Sequence, residues 1–414
     1  MPLLLQHAAQ LLTLAGAPRA RRGAEMAALG VVTDGAVICA GGRIVWAGAS
    51  AEAERHLPPG EVEVRDCRGL LVTPGLVDSH THLVFAAPRL ADYERRLAGA
   101  SYGQIAAAGG GITSSVAAVR AASGATLAAE AAHWLRLMRA HGATTVEVKS
   151  GYGLDAASEG KLLAAAASAA AATGQDVART FLGAHVVPRG VDRGDYVRSV
   201  VEEMLPQLAP EAEFADVFCD PAGFSLAESR QVLMAAQARG LKLKVHAEQF
   251  AHVGGIGLGI ELGAVSVDHL DFATEADAQL LGRAATVATL IPGANLFLGQ
   301  PYPDARRLIG AGAAVALATD FNPGTCPIAS LPLVMSVACS GMRLSPAEAW
   351  CAATINGAAA LARAGECGSI EPGKRADLAI FAADDYRAVP YYAGQRLCRA
   401  VVQNGDWMDQ PTCD

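Results

Sequence analysis

Residues 73–83 read TPGLVDSHTHL, a β-prone run that finishes on two imidazoles, His80 and His82. Side chains two apart on a strand share a face, so both rings can reach one point in space. The arrangement recurs downstream. LKLKVHAEQ (241–249) carries an apolar run to His246, VSVDHL (265–270) to His269, and AVALATD (314–320) to Asp320. Further β-prone runs lie near 112–117, 144–149, 178–185, 214–219 and 286–291, making nine candidates in all. Ala/Leu/Glu-rich stretches of helical length separate many of them, such as 155–173, 225–239 and 327–341. Repeated strand–helix units imply a parallel sheet, and about eight of them an α/β fold closed as a (β/α)8 TIM-like barrel. Nine runs are one more than a barrel needs. The main rival, an open doubly wound sheet, usually announces its cofactor by Gly-x-Gly-x-x-Gly after a strand, and none follows one here.

The ends of the chain read differently. AVICA (36–40) and RIVWAG (43–48) flank Gly41-Gly42, a two-residue hairpin signal. DLAIFA (377–382) and CRAVVQ (398–403), the latter followed by Asn404-Gly405, repeat the pattern. The expected organisation is a small composite β-sandwich domain from residues 1–65 plus 370–414, with the barrel domain, 66–369, inserted between its halves. No period of 20–50 residues recurs, which argues against a solenoid.

Composition narrows the function classes. With 414 residues, 52% of them apolar, the chain is too hydrophobic for disorder. Lys and Arg number 33 against 41 Asp and Glu, a net charge of −8, and the basic residues form no cluster. That argues against a nucleic-acid or polybasic membrane contact. The longest apolar tract, 162–173, is far shorter than the roughly 20 residues of a membrane span. At the N-terminus the basic residues follow the apolar stretch, the reverse of a secretory signal. Nine cysteines include no Cys-x-x-Cys pair, which fits reduced thiols. A soluble cytoplasmic protein is expected.

In a parallel barrel all strands finish on one rim, where active sites form. His80, His82, His246, His269 and Asp320 would therefore converge there. Three neutral imidazoles and a carboxylate suit zinc or iron better than Mg²⁺ or Ca²⁺, which prefer oxygen shells. A lone His-x-His is weak, because a core histidine bonded to a backbone carbonyl is common. Four strand ends carrying His or Asp make a stronger conjunction.

PGLVDSHTHLVFAAPR, ASYGQIAAAGGGI, EVKSGYGL, FLGAH, KVHAEQ, VDHL and ATDFNPGTCP resemble the amidohydrolase superfamily and, within it, the imidazolonepropionase family of histidine breakdown. The resemblance spans 74–327, and the flanking β segments fit it as well. It implies hydrolysis of the cyclic amide of 4-imidazolone-5-propanoate, a small-molecule substrate, to N-formimidoyl-L-glutamate. It also implies one Zn²⁺ or Fe ion per chain on His80, His82, His246 and Asp320, with His269 beside the reacting water. Arg89, Tyr152, His185, Gln249, Asn322, Gly324 and Thr325 match substrate-binding positions. Gln249 stands where relatives carry Glu; an amide binds but cannot act as a general base. Lys149 is the position at which dinuclear relatives carboxylate a lysine, and the resemblance favours one metal with Lys149 supporting it. Oligomeric state is not legible, although the superfamily allows a homodimer.

The residue types suggest a mechanism. A bound Zn²⁺ lowers the pKa of water from 15.7 to about 7. Asp320 can take a proton and pass it to the leaving nitrogen, worth about 10²–10⁴-fold, and His269 can bond the developing oxyanion. Arg89, seven positions after His82, offers a guanidinium fork for the substrate carboxylate, and Tyr102 and Tyr152 offer hydroxyls. Asn322–Thr325 reads as a tight turn whose backbone can face inward. Gly109–Gly111 lacks the lysine of a phosphate loop and reads as a close-packed entry into the next strand. His133 and His141 read as surface residues of a helix; His7, His56 and His252 have no evident partner. The alternatives are another cyclic amidase or aminohydrolase, for which a carboxylate clamp would be superfluous, and a non-catalytic barrel scaffold, which the full ligand set disfavours.

Overall fold

Eight strands from the middle of the chain hydrogen-bond in sequence order, every neighbouring pair parallel. A computed structural model describes residues 1–100, 104–105 and 108–409. The barrel strands are β6 (Leu76–Asp78), β7 (Ala143–Lys149), β8 (Asp176–Ala184), β9 (Phe214–Cys219), β10 (Lys242–Ala247), β11 (Ser266–His269), β12 (Val287–Leu290) and β13 (Val315–Leu317). The first and last meet just past their ends. Asp320 N–H donates to His80 O and His82 N–H to Phe321 O, both at 2.9 Å, across a parallel Thr81–Phe321 bridge. Beneath this seam the Asp78 carboxylate accepts from Thr319 N–H at 3.0 Å and Thr319 Oγ1 at 2.7 Å. Closure thus sets side by side the segments that follow β6 and β13, which carry His80, His82 and Asp320.

The ninth run is the surplus one. Residues 112–117 lie in a helix, Ile112–Ala121, whose buried positions Ser115, Val116 and Val119 follow helical spacing. Its β-branched residues suggested a strand, but burial on one helical face outweighs that propensity. The glycine run consequently leads into a helix, not a strand. Gly111 has φ +70°, and its N–H donates to Asp92 Oδ2 at 2.7 Å. The expected helices lie at Ala156–Thr173, Leu226–Gln237 and Leu331–Met342. Asp155 and Ser225 cap the first two, and left-handed Gly174 ends the first. Among the described residues no helix is long and apolar enough to cross a membrane, and the eight described cysteines are all free.

The terminal segments form one eight-stranded sheet: β1 (Leu3–Leu12), β2 (Val31–Ala40), β3 (Arg43–Ala49), β4 (Glu63–Asp66), β5 (Leu71–Pro74), β14 (Leu378–Phe381), β15 (Cys398–Gln403) and β16 (Asp406–Asp409). It draws in β5, which lies beyond residue 65. Both expected hairpins, 36–48 and 398–409, are present. The sheet curls, so that edge strand β3 reaches the segment before β14: Ile44 N–H donates to Lys374 O at 2.9 Å and Gly373 N–H to Ile44 O at 2.8 Å. Alternation divides its side chains between two cores. Leu378, Ile380, Ala400 and Val402 face the sheet's own interior with Leu5, Leu11 and Val37, whereas Ala379, Phe381 and Val401 join the barrel core.

Candidate active site

One nitrogen from each of His80, His82 and His246 comes within 4.8 Å of the others, all three residues being buried. His82 Nε2 lies 3.3 Å from His246 Nε2. Asp320 Oδ1 stands 3.6 Å from His80 Nε2 and 3.4 Å from His82 Nε2. His80 Nε2 is buried with no hydrogen-bond partner among the described residues. Burial holds His80 and His82 well below the usual imidazole pKa, in the neutral form that offers a lone pair. Lone pairs that converge without donors, beside a carboxylate, are satisfied by a divalent cation. Burial likewise pushes the Asp320 carboxyl well above its usual range when no cation faces it. His269 completes the group, its ring 5.3 Å from that of His80 and 5.2 Å from that of His246. His269 and Asp320 have φ of +84° and +51°, left-handed values that non-glycine residues hold only where surrounding structure compels them.

Beneath the imidazoles lies a second layer, of which the family resemblance indicates only Lys149. Asp268 Oδ2 is 2.7 Å from His80 Nδ1, and Asp216 Oδ2 is 3.0 Å from His246 Nδ1. Such carboxylates hold the outer ring nitrogen and turn the inner one toward the ligand site. Lys149 Nζ donates to Asp216 Oδ2 at 2.7 Å and Glu147 Oε1 at 2.8 Å, and lies 3.9 Å from Asp268 Oδ2. Burial opposes its charge, but the carboxylates of Asp216, Glu147 and Asp268 prevail and raise its pKa above the usual lysine value. Lys149 thus stands here in ion pairs with three buried carboxylates. Lys244 Nζ donates to Ser79 O at 2.9 Å, bracing the strand end that bears His80. A signal for this layer existed. Glu147 with Lys149, Lys244 with His246, and Ser266 with Asp268 are pairs of polar residues two apart in apolar strands, which the pleat turns toward the barrel interior.

The cavity above is lined by His82, Arg89, Tyr152, His185, Gln249, His269, Asp320, Asn322 and Thr325, with Ile112, Phe218 and Phe250 as apolar walls. Arg89 Nε donates to Ser115 Oγ at 2.8 Å, and its guanidinium lies 5.5 Å from the Tyr152 ring centre. Arg89 Nη2 is buried without a hydrogen-bond partner among the described residues. The helix read as a strand is therefore what holds Arg89. His185 Nδ1 is 2.9 Å from Gly151 O, its ring stacks on His82 at 5.3 Å, and burial lowers its pKa to about 3. The Tyr152 loop is pinned by Glu159, which accepts from Gly151, Gly153 and Leu154 N–H groups at 2.7 Å. Glu248 does the same for Gln249, accepting from Gly254, Gly255 and Ile256 N–H groups at 2.7, 2.8 and 3.0 Å.

Asn322 reaches the cavity wall, but its amide is spent on its own turn. Nδ2 donates to Asp320 O and Thr325 Oγ1, and Oδ1 accepts from Gly324 and Thr325 N–H groups. That exhausts two donors and two lone pairs. Gly324 abuts Arg89 outside the metal-side cavity. Tyr102 lies outside the described residues. Of the remaining histidines, His133 is exposed, while half-buried His141 lies 3.3 Å from Ser330 Oγ. His7 pairs with Asp34, His252 with Asp277, and His56 stacks on Trp46.

Residues 71–408 match the model of the amidohydrolase family. The chain is 46% identical to the imidazolonepropionase of Rubrobacter xylanophilus over 386 residues, 93% of each chain. It is 45% identical to that of Geobacillus thermodenitrificans, with 98% of this chain and 97% of the relative covered. Among solved structures it resembles an adenosine deaminase from Xanthomonas campestris with bound zinc, at a TM-score of 0.72 and 19% identity, over 99% and 93% of the two chains. It also resembles Escherichia coli guanine deaminase, at a TM-score of 0.73 and 16% identity over the whole of both. The deaminases share the fold; the match in sequence is to the ring-opening enzymes, and the chain belongs to the amidohydrolase family and, within it, to the imidazolonepropionases.

Proposed function

We propose that this enzyme hydrolyses the cyclic amide of 4-imidazolone-5-propanoate to N-formimidoyl-L-glutamate, with one Zn²⁺ or Fe ion held by His80, His82, His246 and Asp320. The observation that carries the reading is the presence, in one cavity, of converging neutral imidazoles and a guanidinium with an unpartnered Nη2. When bound, the cation supplies a Lewis acid and makes water acidic enough to attack at neutral pH.

The residues supply the rest. Asp320, held left-handed at the strand end, takes the proton of the attacking water and delivers it to the departing ring nitrogen. His269, kept neutral by burial, donates its N–H to the oxygen on which negative charge develops. Arg89 receives the propanoate tail as a charge-assisted pair. Tyr152, His185 and Gln249 border the ring, Tyr102 is proposed to add a hydroxyl, and the Asn322–Gly324–Thr325 turn shapes the wall behind the substrate. A neutral purine would leave Arg89 Nη2 buried and unpaired, a cost the anionic substrate removes.

Metal analysis with an ultraviolet assay of imidazolone propionate disappearance tests this. One equivalent of Zn or Fe and metal-dependent loss of the chromophore are expected; full activity after complete removal of transition metals would refute it. We further propose a cytoplasmic enzyme that binds no nucleic acid, built as a composite terminal β domain around a barrel domain. Its assembly as a homodimer is checked by solution mass.

A further inference from the structure

We propose that Arg96 forms a second anion subsite, at the mouth of the cavity, which captures the substrate carboxylate before Arg89 takes it; this rests on the function proposed above. A second cavity adjoins the metal-side one, sharing Arg89, Phe250 and Thr325 with it, and its own wall includes Arg96, Gln300 and Gly324. Arg96 projects from helix Leu90–Leu97, seven residues or about two turns after Arg89, and both guanidinium groups flank Gly324. Its guanidinium carbon sits 4.4 Å from the Phe297 ring centre and 5.4 Å from that of Tyr93. Those two rings are themselves stacked, with centres 5.3 Å apart. Arg96 Nη1 donates to Gly324 O at 3.4 Å, while Nη2 is buried with no hydrogen-bond partner among the described residues.

A guanidinium fixed on two aromatic faces is oriented in advance, and a buried N–H edge left without an acceptor asks for one. Among the described residues no carboxylate pairs with Arg96; Asp92, on the same helix and lining the same cavity, accepts from Gly111 N–H and faces Arg95 at 3.8 Å. The chain as a whole carries −8 and repels an anion, so a local cation at the entrance raises the rate of capture. The ligand class is a small carboxylate, the propanoate tail arriving or a product carboxylate leaving.

The test compares the wild-type enzyme with Arg96→Met and Arg96→Lys in kcat/KM for imidazolone propionate against KCl concentration, using the uncharged methyl ester as control. Arg96→Met keeps an apolar stem against Phe297. It should lower kcat/KM about tenfold at low salt, flatten the salt dependence, and reduce the preference for acid over ester; Arg96→Lys should restore most of the salt dependence. Glutarate, titrated calorimetrically, reads the site without turnover and should bind more weakly to Arg96→Met. Wild-type salt dependence and glutarate affinity in Arg96→Met would overturn the inference. Absence of wild-type turnover with Arg96-dependent glutarate binding would overturn the proposed reaction alone. Should Arg96→Met not fold, Arg96→Gln carries the same test; failure of both to fold would make Arg96 a structural residue and end the proposal.

Discussion

Gly324→Ala isolates the carboxylate clamp with one methyl group. Gly324 does not have a left-handed φ, so alanine costs nothing in backbone strain there; it is glycine for space. A Cβ would stand 2.2 Å from Arg89 Nη1, 2.8 Å from its Cζ and 3.2 Å from its Cδ. Nonbonded heavy atoms settle at about 3.5–4.0 Å, so the guanidinium must retreat by roughly 1 Å or more. Arginine is flexible enough to do so, and stability should change by no more than about 1 kcal/mol. What is lost is the aim of Arg89 at the substrate. A hydrogen bond to a charged group is worth about 1.5–3 kcal/mol, which at 1.4 kcal/mol per tenfold predicts a KM raised about 10- to 100-fold. Because the metal ligands are untouched, kcat should stay within a few-fold of wild type. Steady-state kinetics with the ultraviolet assay measures both. Arg89→Ala should raise KM comparably, and the double variant should add little, since both remove one interaction. An unchanged KM in Gly324→Ala, or additive losses in the double variant, would refute the assignment of Arg89 to the carboxylate.

Asp320→Asn should retain part of its metal by elemental analysis while kcat falls about 10²–10⁴-fold, the usual range for a lost proton carrier. Asp268→Asn should keep the fold but weaken metal binding about 10- to 100-fold in chelator competition, because His80 Nδ1 exchanges a charged acceptor for a neutral amide that can also present its NH2. Lys149→Met leaves Glu147, Asp216 and Asp268 without their shared ammonium. It should cost about 3–5 kcal/mol by urea denaturation. Protons compete with the cation for the same lone pairs; burial lowers the pKa of His80 and His82 but raises that of Asp320. Metal uptake should therefore fall on acidification through protonation of Asp320 before that of the two imidazoles, and Asp320→Asn should flatten the pH dependence in chelator competition.

Legibility in the sequence followed the range of the physics involved. The barrel was readable because parallel strands buried on both faces leave continuous apolar runs, and His80, His82, His246, His269 and Asp320 stand where those runs stop. The helix 112–121 was misread because Ile112, Thr113 and Val116 favour strands locally, whereas burial of Ser115, Val116 and Val119 on one side is a tertiary fact. Asn322 looked like a ligand by position, yet its amide is consumed within its own turn, which depends on the path of residues 320–325.

Periodicity and residue chemistry, both local, were enough to establish a barrel with imidazoles at its strand ends. Only the folded chain decided that Asp268 and Asp216 stand behind His80 and His246, and that Lys149 lies among Glu147, Asp216 and Asp268. It also decided that Arg89 and Arg96 flank Gly324. Those pairings join residues up to 235 positions apart. Their energies depend on burial and on distances of a few ångströms, which closure of the barrel sets and no local pattern encodes.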